Sequence, residues 1–139
     1  MTNATTIKTT IAPRQTQNCK DIERALRRLG HASNTELLQK LRKTNPSLSA
    51  TTVHRATSRL ASRGVIAIAP PSIDGSMRYD ANTHPHDHFM CNRCGLLRDT
   101  DIKDKVIPIL KSRMDDCVIS GRLTISGECK KCISKERKK

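Results

Sequence analysis

Three capped helical segments followed by two short strands, then a cysteine-rich half of mixed patterning, predict an α+β chain. The expected architecture is an N-terminal winged helix-turn-helix followed by a small α/β domain. A third observation bears on the second half. The 139 residues include one Tyr, one Phe and no Trp. Large rings supply much of the buried area in ordinary cores, so small domains without them need a staple.

The opening 12 residues are rich in Thr and read as a loose tail. Over 16–29, Cys19, Ile22, Leu26 and Leu29 share one helical face, and Gly30 is a stop signal. Ser33-Asn34-Thr35-Glu36 is a capping box leading into Leu37, Leu38 and Leu41, with Asn45-Pro46 as the terminator. Ser49 caps a third helix over 50–63, whose apolar stripe is Val53, Ala56 and Leu60. Its opposite face carries Thr51, Thr52, His54, Arg55, Ser58 and Arg59. Segments 65–69 and 76–79 read as strands around an Asp74-Gly75 turn, which makes the wing.

In a winged helix-turn-helix, the last helix before the wing enters the major groove. A small, polar and basic face suits base edges and phosphates. The same face is also what a solvated helix shows, but a net charge of +13 and a pI near 10.0 argue for an anionic partner. Double-stranded DNA fits better than a membrane surface. No stretch is long enough to span a bilayer, and no secretory signal opens the chain. A cytoplasmic location is the expectation. Thiols stay reduced there, so the six cysteines read as metal ligands before disulfides.

In the second half, 86–91 and 96–99 read as strands around a Cys-x-x-Cys turn. Segment 102–114 reads as a helix containing Pro108, and 117–127 alternates like a strand. An exposed strand edge in so small a unit suggests a homodimer. Cys91, Cys94, Cys129 and Cys132 form two chelating pairs. Four thiolates with no open position favour structural Zn²⁺, with an iron–sulfur cluster as rival. Cys19 and Cys117 are left over and expected to be buried small hydrophobes. Asp80, His86, His88 and Asp99 surround the first pair, a mixed set that suits Fe²⁺, Mn²⁺ or Zn²⁺. His86 and His88, two apart on a strand, would face the same way.

Taken in order, the helix-turn-helix, the wing, the run His84-Pro85-His86-Asp87-His88-Phe89-Met90-Cys91-Asn92-Arg93-Cys94-Gly95 and the terminal Gly127-Glu128-Cys129-Lys130-Lys131-Cys132 resemble the ferric uptake regulator family. The resemblance runs from about residue 15 to 133. It implies structural zinc on the four cysteines. It also implies a regulatory metal on His31, Asp80, His86, His88 and Asp99, with His31 reaching over from the DNA-binding half. Domain boundaries would be a flexible tail (1–14), a winged-helix domain (15–80), a metal-binding dimerisation domain (81–133) and a basic tail (134–139).

Iron-sensing members usually carry glutamate where Asp80 and Asp99 stand, and peroxide-sensing repressors carry aspartate. The chain therefore resembles the peroxide branch. There, iron-catalysed oxidation of the histidines matching His31 and His86 releases DNA. A further site of the iron sensors is disfavoured by Pro85 and Val106, although Asp87 is kept; His84 has no matched role and reads as exposed. The chain departs from the family at Gln15-Thr16-Gln17-Asn18, which replaces a Thr-Pro-Gln-Arg-like run, and at His54, where a tyrosine is usual. The leading expectation is a peroxide-sensing repressor, with an iron-sensing regulator of metal uptake genes as the alternative. A hydrolytic metal enzyme is disfavoured because five protein ligands leave little open coordination, and no small organic substrate is expected. A zinc-stapled DNA binder without sensing is the third reading.

Overall fold

A computed structural model of the chain describes residues 16–138. The expected loose tail at 1–14 lies outside them. Thr16 opens α1 (Gln17–Leu29): its hydroxyl oxygen accepts from the Cys19 N–H, and Gly30 closes the helix at φ 78°. That left-handed turn carries no steric cost for glycine. Cys19, Ile22, Ala25 and Leu26 are buried, whereas Leu29, expected on the same face, lies 41% exposed beside the turn.

The chain then forms β1 (His31–Ser33), a strand that no local sequence pattern predicts. Helix α2 (Asn34–Leu41) starts on the anticipated capping box, with the Ser33 N–H donating to Glu36 Oε2 at 2.7 Å and Glu36 N–H donating to Ser33 Oγ. It stops at Leu41, short of Asn45-Pro46, because the Thr44 and Asn45 N–H groups both turn back onto the Leu41 carbonyl. Ser49 caps α3 (Ala50–Ser62). The buried Thr57 hydroxyl lies 2.9 Å from Asn34 Oδ1 and fastens α3 to the start of α2.

Strands β2 (Ala67–Ala69) and β3 (Arg78–Asp80) are shorter than expected and complete an antiparallel sheet in the order β1-β3-β2. The wing is therefore three-stranded, and His31 pairs directly with Asp80. A second sheet has the order β5-β4-β6, built from β4 (Asp87–Cys91), β5 (Leu97–Thr100) and β6 (Thr124–Gly127). Parallel strands need a long crossover, here α4 (Lys103–Arg113, with Pro108 inside) and the segment after it. The strand expected over 117–127 begins only at Thr124. β4 offers no ladder before Asp87, and Asp115 and Asp116 turn the chain at φ 48° and 57°. Cys117, expected buried, is consequently exposed, while Cys19 is buried. Helix α5 (Lys130–Glu136) continues into the stretch expected as a basic tail.

The apolar core runs from Cys19 to Tyr79, packing α1, α2 and α3 on the first sheet. Beyond residue 80 the only buried hydrophobic residues among those described are Cys91 and Cys129, and α4 buries none. The second sheet thus has almost no apolar core within one chain. Ile109 and Val118 stand 64% and 87% exposed on that side. No described helix is long and apolar enough to cross a membrane.

Candidate metal centres and nucleic-acid interface

Five side chains converge where the two sheets meet. Strand pairing sets His31 against Asp80 in the first sheet, and His88 against Asp99 in the second. His86 enters just before β4. One ligand atom from each of the five lies within 4.8 Å of every other. The fully buried Asp80 places Oδ2 at 2.8 Å from His86 Nε2, 3.2 Å from His88 Nε2 and 3.3 Å from His31 Nε2. Asp99 Oδ1 faces the same three nitrogens at 3.4, 3.4 and 2.8 Å.

Metal–ligand bonds of about 2.1 Å at right angles put neighbouring donors about 3.0 Å apart, so these spacings suit one shared ion. His31 Nε2 is buried between Asp80 Oδ2 and Asp99 Oδ1 yet makes no hydrogen bond of proper geometry to either. Buried polar atoms are rarely left so, and an ion among the five donors would satisfy it. His86 Nδ1 donates to the His84 carbonyl at 2.6 Å, which fixes the tautomer and aims the Nε2 lone pair inward.

The histidines differ in proton affinity. Burial, with the neighbouring His86 and His31, outweighs the Asp80 hydrogen bond and lowers the His88 pKa, keeping that ring neutral. Burial also opposes charging His86, but the His84 carbonyl and the Asp80 and Asp99 carboxylates together raise its pKa. In the metal-free protein His86 thus favours the fold at acid pH, and this contribution fades as pH rises through its raised value. A metal must displace that proton. Mn²⁺ affinity should therefore rise with pH, by about tenfold per unit below the His86 pKa and then level off. Titrations at several pH values check this, and a pH-independent affinity would contradict the role of His86.

The second cluster joins the turn after β4 to α5. Cys91 ends β4 and Cys94 follows in the turn, which Gly95 closes at φ 74°. Cys129 is the N-cap of α5, and Cys132 lies in its first turn. The Sγ–Sγ distances are 3.9 Å for Cys91–Cys132 and 3.7 Å for Cys94–Cys129. A tetrahedral zinc with bonds of about 2.3 Å requires sulfurs about 3.8 Å apart. Backbone N–H groups of Cys94 and Cys129 aimed at its sulfur lower the Cys91 thiol to about 6, and the Cys132 thiol is pushed up to about 12, chiefly by Cys129. Arg93, inside the first pair, bridges Glu128 and Glu136 beside the second.

On α3, the side chains of Thr51, His54, Arg55, Ser58 and Arg59 are exposed. Thr52 is half-buried and engaged with the Ser49 cap at 2.8 Å. The guanidinium groups of Arg55 and Arg59 have no hydrogen-bond or ion-pair partner among the described residues, leaving these cations free for phosphate or base contact. The sequence reading passed over Arg78, a buried guanidinium bonded to the wing loop and to the turn at Gly95. Its one sequence signal was a charge inside a short strand.

A three-stranded winged helix joined to a second sheet, with one all-sulfur and one imidazole–carboxylate cluster, defines a winged-helix transcriptional regulator with two metal-ligating centres. The chain belongs to the ferric uptake regulator family, whose profile matches residues 12–116. It is 30% identical over 107 residues to a peroxide-responsive repressor, PerR, of Staphylococcus saprophyticus, covering 76% of this chain and 72% of that protein. Among solved structures, the peroxide stress regulator of Campylobacter jejuni is similar at a TM-score of 0.62 and 25% identity, over 83% of this chain and 88% of that one. The Helicobacter pylori ferric uptake regulator superposes at a TM-score of 0.70 and 22% identity, over 86% and 82%, which supports the fold. The chain is accordingly a metal-responsive transcriptional repressor and not an enzyme.

Proposed function

We propose that this repressor senses hydrogen peroxide through the five-residue centre. The carrying observation is that Asp80 and Asp99, both aspartates, face the same three imidazole nitrogens, in a chain whose 30%-identical relative is a peroxide-responsive repressor. His31, Asp80, His86, His88 and Asp99 would hold Fe²⁺ or Mn²⁺. Cys91, Cys94, Cys129 and Cys132 would hold Zn²⁺ structurally. The winged-helix unit would extend to about residue 80. A cytoplasmic homodimer would bury the exposed apolar residues of the second half and present two copies of α3 to an operator in double-stranded DNA.

Bound Fe²⁺ would supply one-electron chemistry with peroxide. What the chain supplies is a link between halves. His31 and Asp80 belong to the first sheet, and His86, His88 and Asp99 to the β4–β5 side. Shared ligation clamps the two and fixes the spacing of the α3 helices in the dimer. Oxidising His31 or His86 removes a clamp atom and frees that spacing.

The test is mass spectrometry of iron-loaded protein after mild peroxide. A gain of one oxygen on His31 or His86, absent from Mn²⁺-loaded protein, is expected alongside release of DNA. Unmodified histidines with DNA binding still dependent on iron would instead favour an iron sensor. For the DNA face, Arg55→Ala and Arg59→Ala should each weaken operator binding about tenfold and make it less salt-dependent. Unchanged binding in both would remove α3 as the reading helix.

A further inference from the structure

Arg78 is 6% exposed, and every partner of its guanidinium lies outside β3, the strand that carries it. Its Nε donates to the Pro70 carbonyl at 2.9 Å and its Nη2 to the Pro71 carbonyl at 3.0 Å, both in the loop that leads into the wing. Its Nη1 donates to the Gly95 carbonyl at 2.7 Å, in the turn that closes the first cysteine pair, and Nη2 also reaches Met90 Sδ at 3.3 Å on β4. One cation therefore ties the wing loop, the second sheet and the cysteine turn into a single joint. A second contact runs beside it: a Cβ placed on Gly95 would lie 3.5 Å from Ile73 Cδ1, so the wing's Ile73 rests against this glycine. The wing loop has little else to hold it. Ile73 and Met77 are 55% and 52% exposed, and the loop's own bonds are local, among Ser72, Asp74, Gly75 and Ser76.

A buried guanidinium left without acceptors is costly, which makes this arrangement directional. No carboxylate lies within ion-pair distance of Arg78 among the described residues, so its donors are satisfied by three backbone carbonyls and the Met90 sulfur. Carbonyls are held in place by the chain around them, and the Gly95 carbonyl belongs to the turn that the four-cysteine cluster organises. The wing loop is thus referenced to the cysteine cluster and not merely to its own hairpin.

We propose that Arg78 is a positioning residue for DNA binding: it docks the wing on the cysteine turn and so fixes the wing relative to α3 on the operator. This rests on the winged-helix reading of 16–80, and the experiment separates the two. Operator affinity, zinc content, Mn²⁺ affinity and amide exchange over 70–77 are measured for the full-length protein and for Arg78→Lys, Arg78→Met, Ile73→Ser and Arg55→Ala. Arg78→Lys keeps the charge but cannot reach three carbonyls at once, and Ile73→Ser removes an exposed contact that folding does not need. In both, amides over 70–77 should exchange about tenfold faster and operator affinity should fall about tenfold, with zinc content and Mn²⁺ affinity unchanged. Arg78→Met should show the larger loss of the same kind. Should Arg78→Met fail to fold, Arg78→Lys and Ile73→Ser still decide. Unchanged exchange over 70–77 in these two variants overturns the joint, as does a loss of affinity accompanied by loss of zinc, which would mark Arg78 as merely structural. If Arg55→Ala also leaves operator binding unaltered, the winged-helix reading has failed; if Arg55→Ala weakens binding while the other variants do not, only the joint has.

Discussion

Cys129→Ser is expected to release zinc, unfold the second sheet and abolish operator binding, even with Mn²⁺ in excess. The reason lies in where burial occurs. The apolar core ends at Tyr79, and past residue 80 the buried hydrophobic residues described are two of the four cysteines themselves. Cys129 is 8% exposed, its N–H donates to Cys91 Sγ at 3.3 Å, and it holds the N-cap position of α5, two residues past β6. Removing it breaks the sulfur shell and loosens the one parallel pairing, β4 with β6, that closes the sheet. Zinc in such sites contributes about 10–16 kcal/mol, which is the size of a whole domain's stability. Amide exchange is the discriminating measurement. Protection should vanish over β4, β5 and β6 while α1, α2 and α3 keep theirs, and gel filtration should show monomer. A zinc-free Cys129→Ser protein that remained dimeric and bound DNA would refute the structural role of the cluster.

The sequence revealed elements wherever a local signal was strong. Ser33 and Ser49 mark two helix starts because a side-chain oxygen satisfies an open N–H within three residues, an interaction that needs no tertiary context; Thr16 does the same for α1, although the helical pattern that starts there does not single it out as a cap. The cysteine pairs were legible because chelation demands fixed spacing. What stayed hidden was non-local. β1 is three residues long, and it is a strand only because β3 lies beside it; nothing in His31-Ala32-Ser33 alone announces that pairing. Its consequence for the candidate site is direct, since the His31–Asp80 register is what carries His31 to the centre. The sequence reading obtained His31 through family resemblance and could not have placed it by geometry. Arg78 was missed for the same reason: its acceptors are 7, 8 and 17 residues away along the chain. The alternation over 117–127 misled, because a period of two records which residues could form a strand, not whether a partner extends that far.

Asp80→Asn should leave a folded dimer whose DNA binding no longer responds to metal. Asp80 is fully buried, and its Oδ2 lies within ion-pair distance of all three histidines and within 3.2 Å of both His86 and His88. Asparagine preserves its shape, and its Oδ1 can still accept from the Asn82 N–H, which lies 2.8 Å from Asp80 Oδ1. The local turn therefore survives, and only the charge and one donor oxygen are lost. Affinity for Mn²⁺ or Fe²⁺ should drop about a hundredfold or more, since changes merely supporting a ligand already cost up to that much. Asp99→Asn is the informative comparison. Its carboxylate also faces all three nitrogens, but its side chain is 46% exposed on an edge strand, where water can stand in for it. Its loss should therefore be the smaller of the two. Asp80 also sits in β3, two residues past Arg78, so the residue proposed to anchor the metal and the cation proposed to dock the wing share one three-residue strand. Metal at Asp80 would stiffen that strand from its end, which gives the operator a reason to sense the centre at all. Retention of a full metal response by Asp80→Asn, measured as the ratio of operator affinities with and without Mn²⁺, would mean that the switch lies elsewhere in the chain.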